Sequence, residues 1–205
     1  MADIKLTKNE LRGQQTKLKQ LQRYLPTLQL KKALLQVEVQ NAKLEIRAQE
    51  NQRELIYQHV EAYARLFPEM DFPSLEQTIK IDKVKKIYEN IAGVEIPIFQ
   101  GISFLALKYH MSDSPIWMEA AIEGLHNLIE ANQRLGIEKT KLQLLENELR
   151  DVSIRVNLFE KILIPRSSKN IKKIRVFLGD QQLAAVAQAK VAKTKIEQQK
   201  VLACA

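Results

Sequence analysis

The sequence predicts a mainly α protein: a long antiparallel two-helix coiled coil formed by the N- and C-terminal helices, with a small central segment containing a β-hairpin. Three observations predict it. Apolar residues recur at heptad spacing over both ends of the 205-residue chain. Pro68, Pro73, Gly93, Pro97 and Gly101 punctuate the middle, where apolar residues alternate instead. Aromatics are only 6% of the chain, with six Gly and six Pro, which suits long helices better than a compact mixed fold. The expected division is an N-terminal helix over 1–67, a central segment over 68–113 and a C-terminal helix over 114–205.

The N-terminal stripe is read with Leu11 as heptad position a. Leu11, Leu18, Leu25, Lys32, Val39, Ile46, Arg53, Val60 and Phe67 then occupy a. Gln14, Leu21, Leu28, Leu35, Ala42, Gln49, Ile56 and Tyr63 occupy d. Thirteen of these seventeen are apolar, a sustained coiled-coil pattern. Pro26 should bend the helix or free a backbone carbonyl, and Pro68 should stop it. A helix over 5–67 would span about 95 Å at ~1.5 Å per residue.

In the middle, Thr78–Tyr88 alternates imperfectly, and Val94, Ile96 and Ile98 alternate with Glu95, Pro97 and Phe99. This predicts two strands closed near Glu89–Gly93. Pro97 points to a sheet edge. A lone hairpin is marginal in water, so it must dock on the helices or on a partner.

The second helix is expected to open with Ser114 as N-cap and Pro115 as its first residue. Its seam is Leu142, Leu145, Leu149, Val152, Val156, Phe159 and Leu163, with spacings alternating between three and four. Beyond it the stripe becomes Leu163, Ser167, Ile171, Ile174 and Leu178, a phase that locally unwinds a left-handed supercoil. Pro165 lies at this change and Gly179 is a candidate break. From Gln181 the Ala/Gln/Lys-rich tail reads as weakly packed helix. Residues 115–200 would span about 130 Å if helical throughout.

Charge is unevenly placed. Residues 1–35 carry a net +6, residues 161–205 a net +8, and the 125 residues between them a net −6. Antiparallel pairing brings the two basic ends together at one pole. A pI near 9.5 suits a polyanionic or acidic partner, although much of such charge is ordinarily a solvated helix face. The cluster Arg166, Lys169, Lys172, Lys173 and Arg175 recurs in sign at the opposite terminus. Nucleic acid is disfavoured, since no recognition module, aromatic interleaving or zinc spacing appears.

The three histidines, His59, His110 and His126, fall in separate segments without ligand spacing. No CxxC, HExxH, GxxxxGK[ST], GxGxxG or GxSxG occurs. No catalytic, cofactor-binding or metal-binding residue is therefore expected. Trp117 reads as a packing anchor, and the lone Cys204 as a free thiol. The N-terminus lacks an apolar leader core and no window is long and apolar enough to span a bilayer. A cytoplasmic location without direct membrane insertion is expected.

Several strings resemble one family along nearly the whole chain. They are Leu6-Thr7-Lys8-Asn9-Glu10-Leu11-Arg12, Leu30-Lys31-Lys32-Ala33-Leu34-Leu35, Glu89-Asn90-Ile91-Ala92-Gly93-Val94-Glu95-Ile96-Pro97-Ile98-Phe99, and Arg155-Val156-Asn157-Leu158-Phe159-Glu160-Lys161-Ile162-Leu163-Ile164-Pro165-Arg166. Together they resemble the D subunit of the V-type and A-type rotary ATPases. The chain departs from that pattern at Ala33, where a denser basic run is common, and at Ser167-Ser168, where a leucine is common. The resemblance implies a non-catalytic central-stalk rotor shaft, coupling ATP hydrolysis or synthesis to ion translocation. Its implied partners are the catalytic and regulatory subunits of the hexameric head, the F subunit, and the socket subunit above the proteolipid ring. It implies a place on the cytoplasmic side, peripheral to the membrane. The hairpin would point toward the membrane. Expected partner contacts are Arg12, Arg23, Arg155, Arg166, Lys169, Lys172 and Arg175, with Val94, Ile96 and Ile98 on the hairpin. The competing reading is a coiled-coil scaffold or anionic-membrane-binding helical protein with no rotary role.

Overall fold

The structure is a computed structural model and describes residues 5–64, 80–105 and 117–203. The elements are α1 (Lys8–Ala64), β1 (Ile81–Ile91), β2 (Val94–Phe104), α2 (Trp117–Leu158), a π-helical turn (Phe159–Leu163) and α3 (Ile164–Ala203). The chain divides into two compact units, Met1–Leu30 with Ser153–Ala205, and Lys31–Val152. Pro68, Pro73, His110, Ser114, Pro115 and Cys204 lie outside the described residues.

The start of α1 is set by Thr7, whose hydroxyl accepts a hydrogen bond from the Glu10 amide at 3.3 Å, an N-cap that satisfies one orphan donor. Pro26 lies inside α1 and does not end it. The helix buries the residues its heptads select: Leu21, Leu35, Val39, Ala42 and Ile46 are buried, and all are a or d positions. The partner strand of the coil buries Leu145, Val152, Val156, Ser167, Ile171 and Ile174. Gly179 does not break the helix, which runs on to Ala203. One glycine costs a long helix only about 1 kcal/mol, which its neighbours offset. Residues 181–199 are helical and wholly exposed, as their weak stripe suggests.

In the Lys31–Val152 unit the two helices run antiparallel, zipped by ion pairs. Lys31 meets Glu148 at 2.6 Å, Lys43 meets Glu146 at 2.8 Å, Glu45 meets Lys141 at 2.8 Å and Glu50 meets Lys139 at 2.9 Å. Partner numbers fall on α2 as they rise on α1, as opposed chain directions require.

The hairpin differs in detail from its sequence reading. β1 continues through Glu89 and Asn90 to Ile91, and β2 continues past Gly101 to Phe104. The turn is therefore two residues, Ala92 and Gly93, closed by the Ile91–Val94 pair. Both turn residues have positive φ, 52° and 83°, which is the backbone that a two-residue connection needs to match strand twist. The Asn90 side chain accepts a hydrogen bond from the Gly93 amide at 2.9 Å, a local contact that stabilises the tight turn. Pro97 pairs with Tyr88. Counting from the closing pair, that is a position without ladder hydrogen bonds, so proline removes none. The pairing shifts between Lys85 and Lys86, leaving Gln100 as an extra residue beside Gly101, a bulge that increases local twist.

Ala92 is an L-residue in left-handed backbone, at a cost of about 1 kcal/mol. Ala92→Asn should relieve part of it and stabilise the hairpin by about 0.5–1 kcal/mol. Gly93→Ala should act oppositely: the added methyl group would find room, 3.7 Å from Lys31 Nζ, but its φ would be strained. Hydrogen exchange of the β1 and β2 amides should slow in the first variant and quicken in the second; identical exchange in both would refute the turn assignment.

Candidate functional site

The seam residues of α3 fix where its cations point. Ser167, Ile171 and Ile174 are buried, so Arg166, Lys169, Lys172, Lys173 and Arg175 occupy the faces left over, and all five are exposed. Arg12, Arg23 and Arg155 are likewise exposed on their helices. These residues all belong to the Met1–Leu30/Ser153–Ala205 unit. Within it, a cleft of about 580 Å³ is lined by Lys8, Leu11 and Arg12 near the start of α1 and by Arg175, Leu178 and Gly179 of α3. Thus Arg12 and Arg175 come together. Arg23, Arg155, Arg166, Lys169 and Lys172 are not part of that cleft.

Charge balance separates the two units. In the Lys31–Val152 unit, Lys31, Lys43, Lys139 and Lys141 each face a glutamate across the coil. Among the described residues of the other unit, the ion pair formed is Lys193 with Glu197, one turn apart at 3.9 Å. Glu10 is engaged by the Gln14 side chain at 2.9 Å. Acidic residues are simply scarce there, so the cations meet water or whatever docks.

On the hairpin, the three candidate contacts separate. Ile96 is fully buried, whereas Val94 and Ile98 are half-buried. Burial of Ile96 and Phe99 shows that the hairpin is docked, because two strands alone cannot enclose a side chain. Two ring contacts hold it to α2: Phe104 stacks on His126 with ring centroids 3.8 Å apart, and the Arg134 guanidinium lies 5.3 Å from the Phe99 ring centroid, a cation–π arrangement. The exposed large apolar residues of β1 are instead Ile87 and Tyr88, neighbours in the strand that stand on opposite faces of the hairpin. The sequence signal for these was an adjacent apolar pair between Lys85-Lys86 and Glu89.

Beside the docked hairpin lies an ionic cluster. Glu45, Glu138, Lys141 and Arg134 line a depression of about 490 Å³ with Ile98 and Phe99. Lys141 has a side chain only 12% exposed and bridges Glu45 at 2.8 Å and Glu138 at 3.2 Å. Burial would lower its pKa, but the two carboxylates outweigh burial and hold it above 10.5. Among the described residues, no helix is long and apolar enough to cross a membrane, and no three His, Cys, Asp or Glu side chains are grouped to hold a metal.

Residues 10–194 match the family of ATP synthase D subunits. The chain belongs to that family. Its relatives are similar over almost their full length. It is 45% identical over 203 residues to the V-type ATP synthase D subunit of Chlamydia caviae, covering 97% of this chain and 96% of that one. It is 46% identical over 204 residues to the same protein of Chlamydia felis, with the same coverage. Against that of Chlamydia pneumoniae, identity is 43% over 198 residues, 96% and 95% of the two chains. In this member of the D-subunit family, the resemblance in the strings at 6–12, 30–35, 89–99 and 155–166 extends to the whole chain.

Proposed function

We propose that this chain is the central-stalk rotor shaft of a V-type ATP synthase, a non-catalytic subunit that couples nucleotide turnover in the head to rotation of the membrane ring and ion translocation. The observation that carries this reading is the unmatched charge of the Met1–Leu30/Ser153–Ala205 unit, set against the cross-coil ion pairs that Lys31, Lys43, Lys139 and Lys141 make in the other unit. A solvated face has no reason to gather one sign from both termini, because those charges repel. An acidic surround compensates for that repulsion.

In this reading Arg12, Arg23, Arg155, Arg166, Lys169, Lys172 and Arg175 face the catalytic and regulatory subunits of the head. Cations on flexible stems attract acidic loops at a distance without locking into one packed geometry. The shaft has no threefold symmetry. It therefore meets three nominally equivalent head interfaces differently and biases each toward a different conformation. Val94 and Ile98, with Ile87 on the same face of the hairpin, face the F subunit and the socket subunit. Ile96 acts one step removed, by holding the hairpin to its own helices. The complex places the chain on the cytoplasmic side of the membrane, as a peripheral component.

The test replaces Arg166, Lys169, Lys172 and Arg175 with glutamine. Exposed pairs contribute only about 0–1 kcal/mol each to folding, so helicity and melting temperature should hold. Assembly with the head should weaken several-fold at low salt. It should lose much of its salt dependence, since the Debye length is already about 8 Å at physiological ionic strength. Wild-type assembly and turnover at both low and high salt would exclude this role. Binding of the unassembled chain to anionic vesicles in place of the head would favour the scaffold reading.

A further inference from the structure

We infer that residues 22–30 of α1 and 157–167 of the opposing helix form a built-in joint, the level at which the coiled coil opens and bends first. Four observations meet there, all within the Met1–Leu30/Ser153–Ala205 unit.

The first is Pro26. It lies inside α1, has no amide proton to give to the Gln22 carbonyl, and crowds that carbonyl with its ring. Next to it, the Thr27 hydroxyl donates to the Tyr24 carbonyl at 2.8 Å, a back-bond that bends helices. The second is the π turn Phe159–Leu163, where the Ile164 amide donates to the Phe159 carbonyl, five residues back. Pro165 follows directly and removes another donor. In α geometry its ring would strike the Lys161 carbonyl; the widened turn makes room.

The third is level. Leu11 and Leu178 line the same cleft. Pro26 is fifteen residues along α1 from Leu11, and Leu163 is fifteen residues back from Leu178. Equal helical rise brings the two interruptions opposite each other. The fourth is packing. No residue of the π turn is buried. Neither helix buries a side chain here: on α1 the gap runs from Leu21 to Leu35, and on the other helix from Val156 to Ser167. Ser167, the seam residue that ends the second gap, is polar. It gives little of the ~1.5–3 kcal/mol that a buried leucine would.

The π turn also accounts for the seam. A strict heptad from Val156 would continue through 159, 163, 166 and 170, yet the buried residues are Ser167, Ile171 and Ile174. One extra residue is stored in the wide turn, and the coil resumes its spacing beyond it. Broken ladders and only half-buried seam residues (Leu25, Leu28, Phe159 and Leu163) at a single level leave local opening with little to oppose it.

Hydrogen exchange on the full-length chain tests the joint directly. Amides of 22–30 and 157–167 should exchange about tenfold or more faster than those of 36–46 and 142–152, although fraying from the helix start would favour residues nearer Lys8. Uniform protection along the coil would overturn the inference. Pro26→Ala with Pro165→Ala, combined with deletion of Glu160 to remove the stored residue, should bring the joint's exchange down to that of its flanks. Should the deletion compromise folding, Pro26→Ala alone should still slow exchange at 22–30 and across the coil at 157–167. Exchange in the folded variants as fast as in the wild type would equally refute it.

Discussion

Leu145→Ala is expected to destabilise the protein by about 3–4 kcal/mol, whereas Leu144→Ala should cost less than about 0.5 kcal/mol. The two residues are adjacent and chemically identical. Leu145 is 0% exposed and Leu144 is 38% exposed. The difference is helical phase: Leu145 falls on the seam with Val152 and Val156, and Leu144 falls one residue off it. Truncating Leu145 loses the transfer energy of its methyl and methylene groups. It also leaves a cavity that two long helices, held by ion pairs on either side, cannot collapse. Urea denaturation followed by circular dichroism gives both values. Equal costs for the two leucines would contradict the seam assignment and with it the antiparallel register over 139–148.

Lys141→Ala should have the next largest effect, about 3 kcal/mol, the lower end of the range for removing one partner from a buried ion pair. The lysine lies between Glu45 and Glu138 and is largely enclosed. Without it, Glu138, whose side chain is only 13% exposed, would keep a poorly solvated charge. Glu138→Gln in the same chain should therefore restore a large part of the loss, a non-additivity that a simple packing defect would not give. The pH dependence has a definite sign. A lysine whose folded pKa is raised contributes stability that is fully present below 10.5, its ordinary value. That contribution is lost as pH rises through the higher folded value. Wild type should weaken above pH 10.5 by more than Lys141→Ala does. Parallel pH profiles for the two proteins would rule out a stabilising role for the charge.

Much of this molecule was legible in its residues, for a reason that is physical. A two-helix coil has one seam, and a seam imposes a single period on long stretches of chain. The a and d positions chosen from the sequence alone include every buried residue of α1, from Leu21 to Ile46. The unequal charge of the ends was equally plain, because net charge needs no folding to be counted. The strings at 89–99 and 155–166 carried the family. The paired middle of the coil was not foreseen, since ion pairs such as Glu45–Lys141 depend on which residues a register brings opposite.

The tertiary structure decided the rest. An alternating strand cannot say what will cover it, and period two offered Val94, Ile96 and Ile98 as one face. Ile96, Pro97 and Phe99 are buried instead, side chains from both faces of one strand, because the hairpin lies against helices of its own chain. Asn90, Ala92 and Gly93 settled the turn through a side-chain hydrogen bond and two positive φ angles, where composition had suggested a longer loop. The irregular spacing after Leu163 was visible as an extra residue in the stripe. Whether that residue would be spread over several turns or stored in one was open. Pro165 concentrates it, because a proline ring needs local room that a widened π turn provides and a gently unwound helix does not.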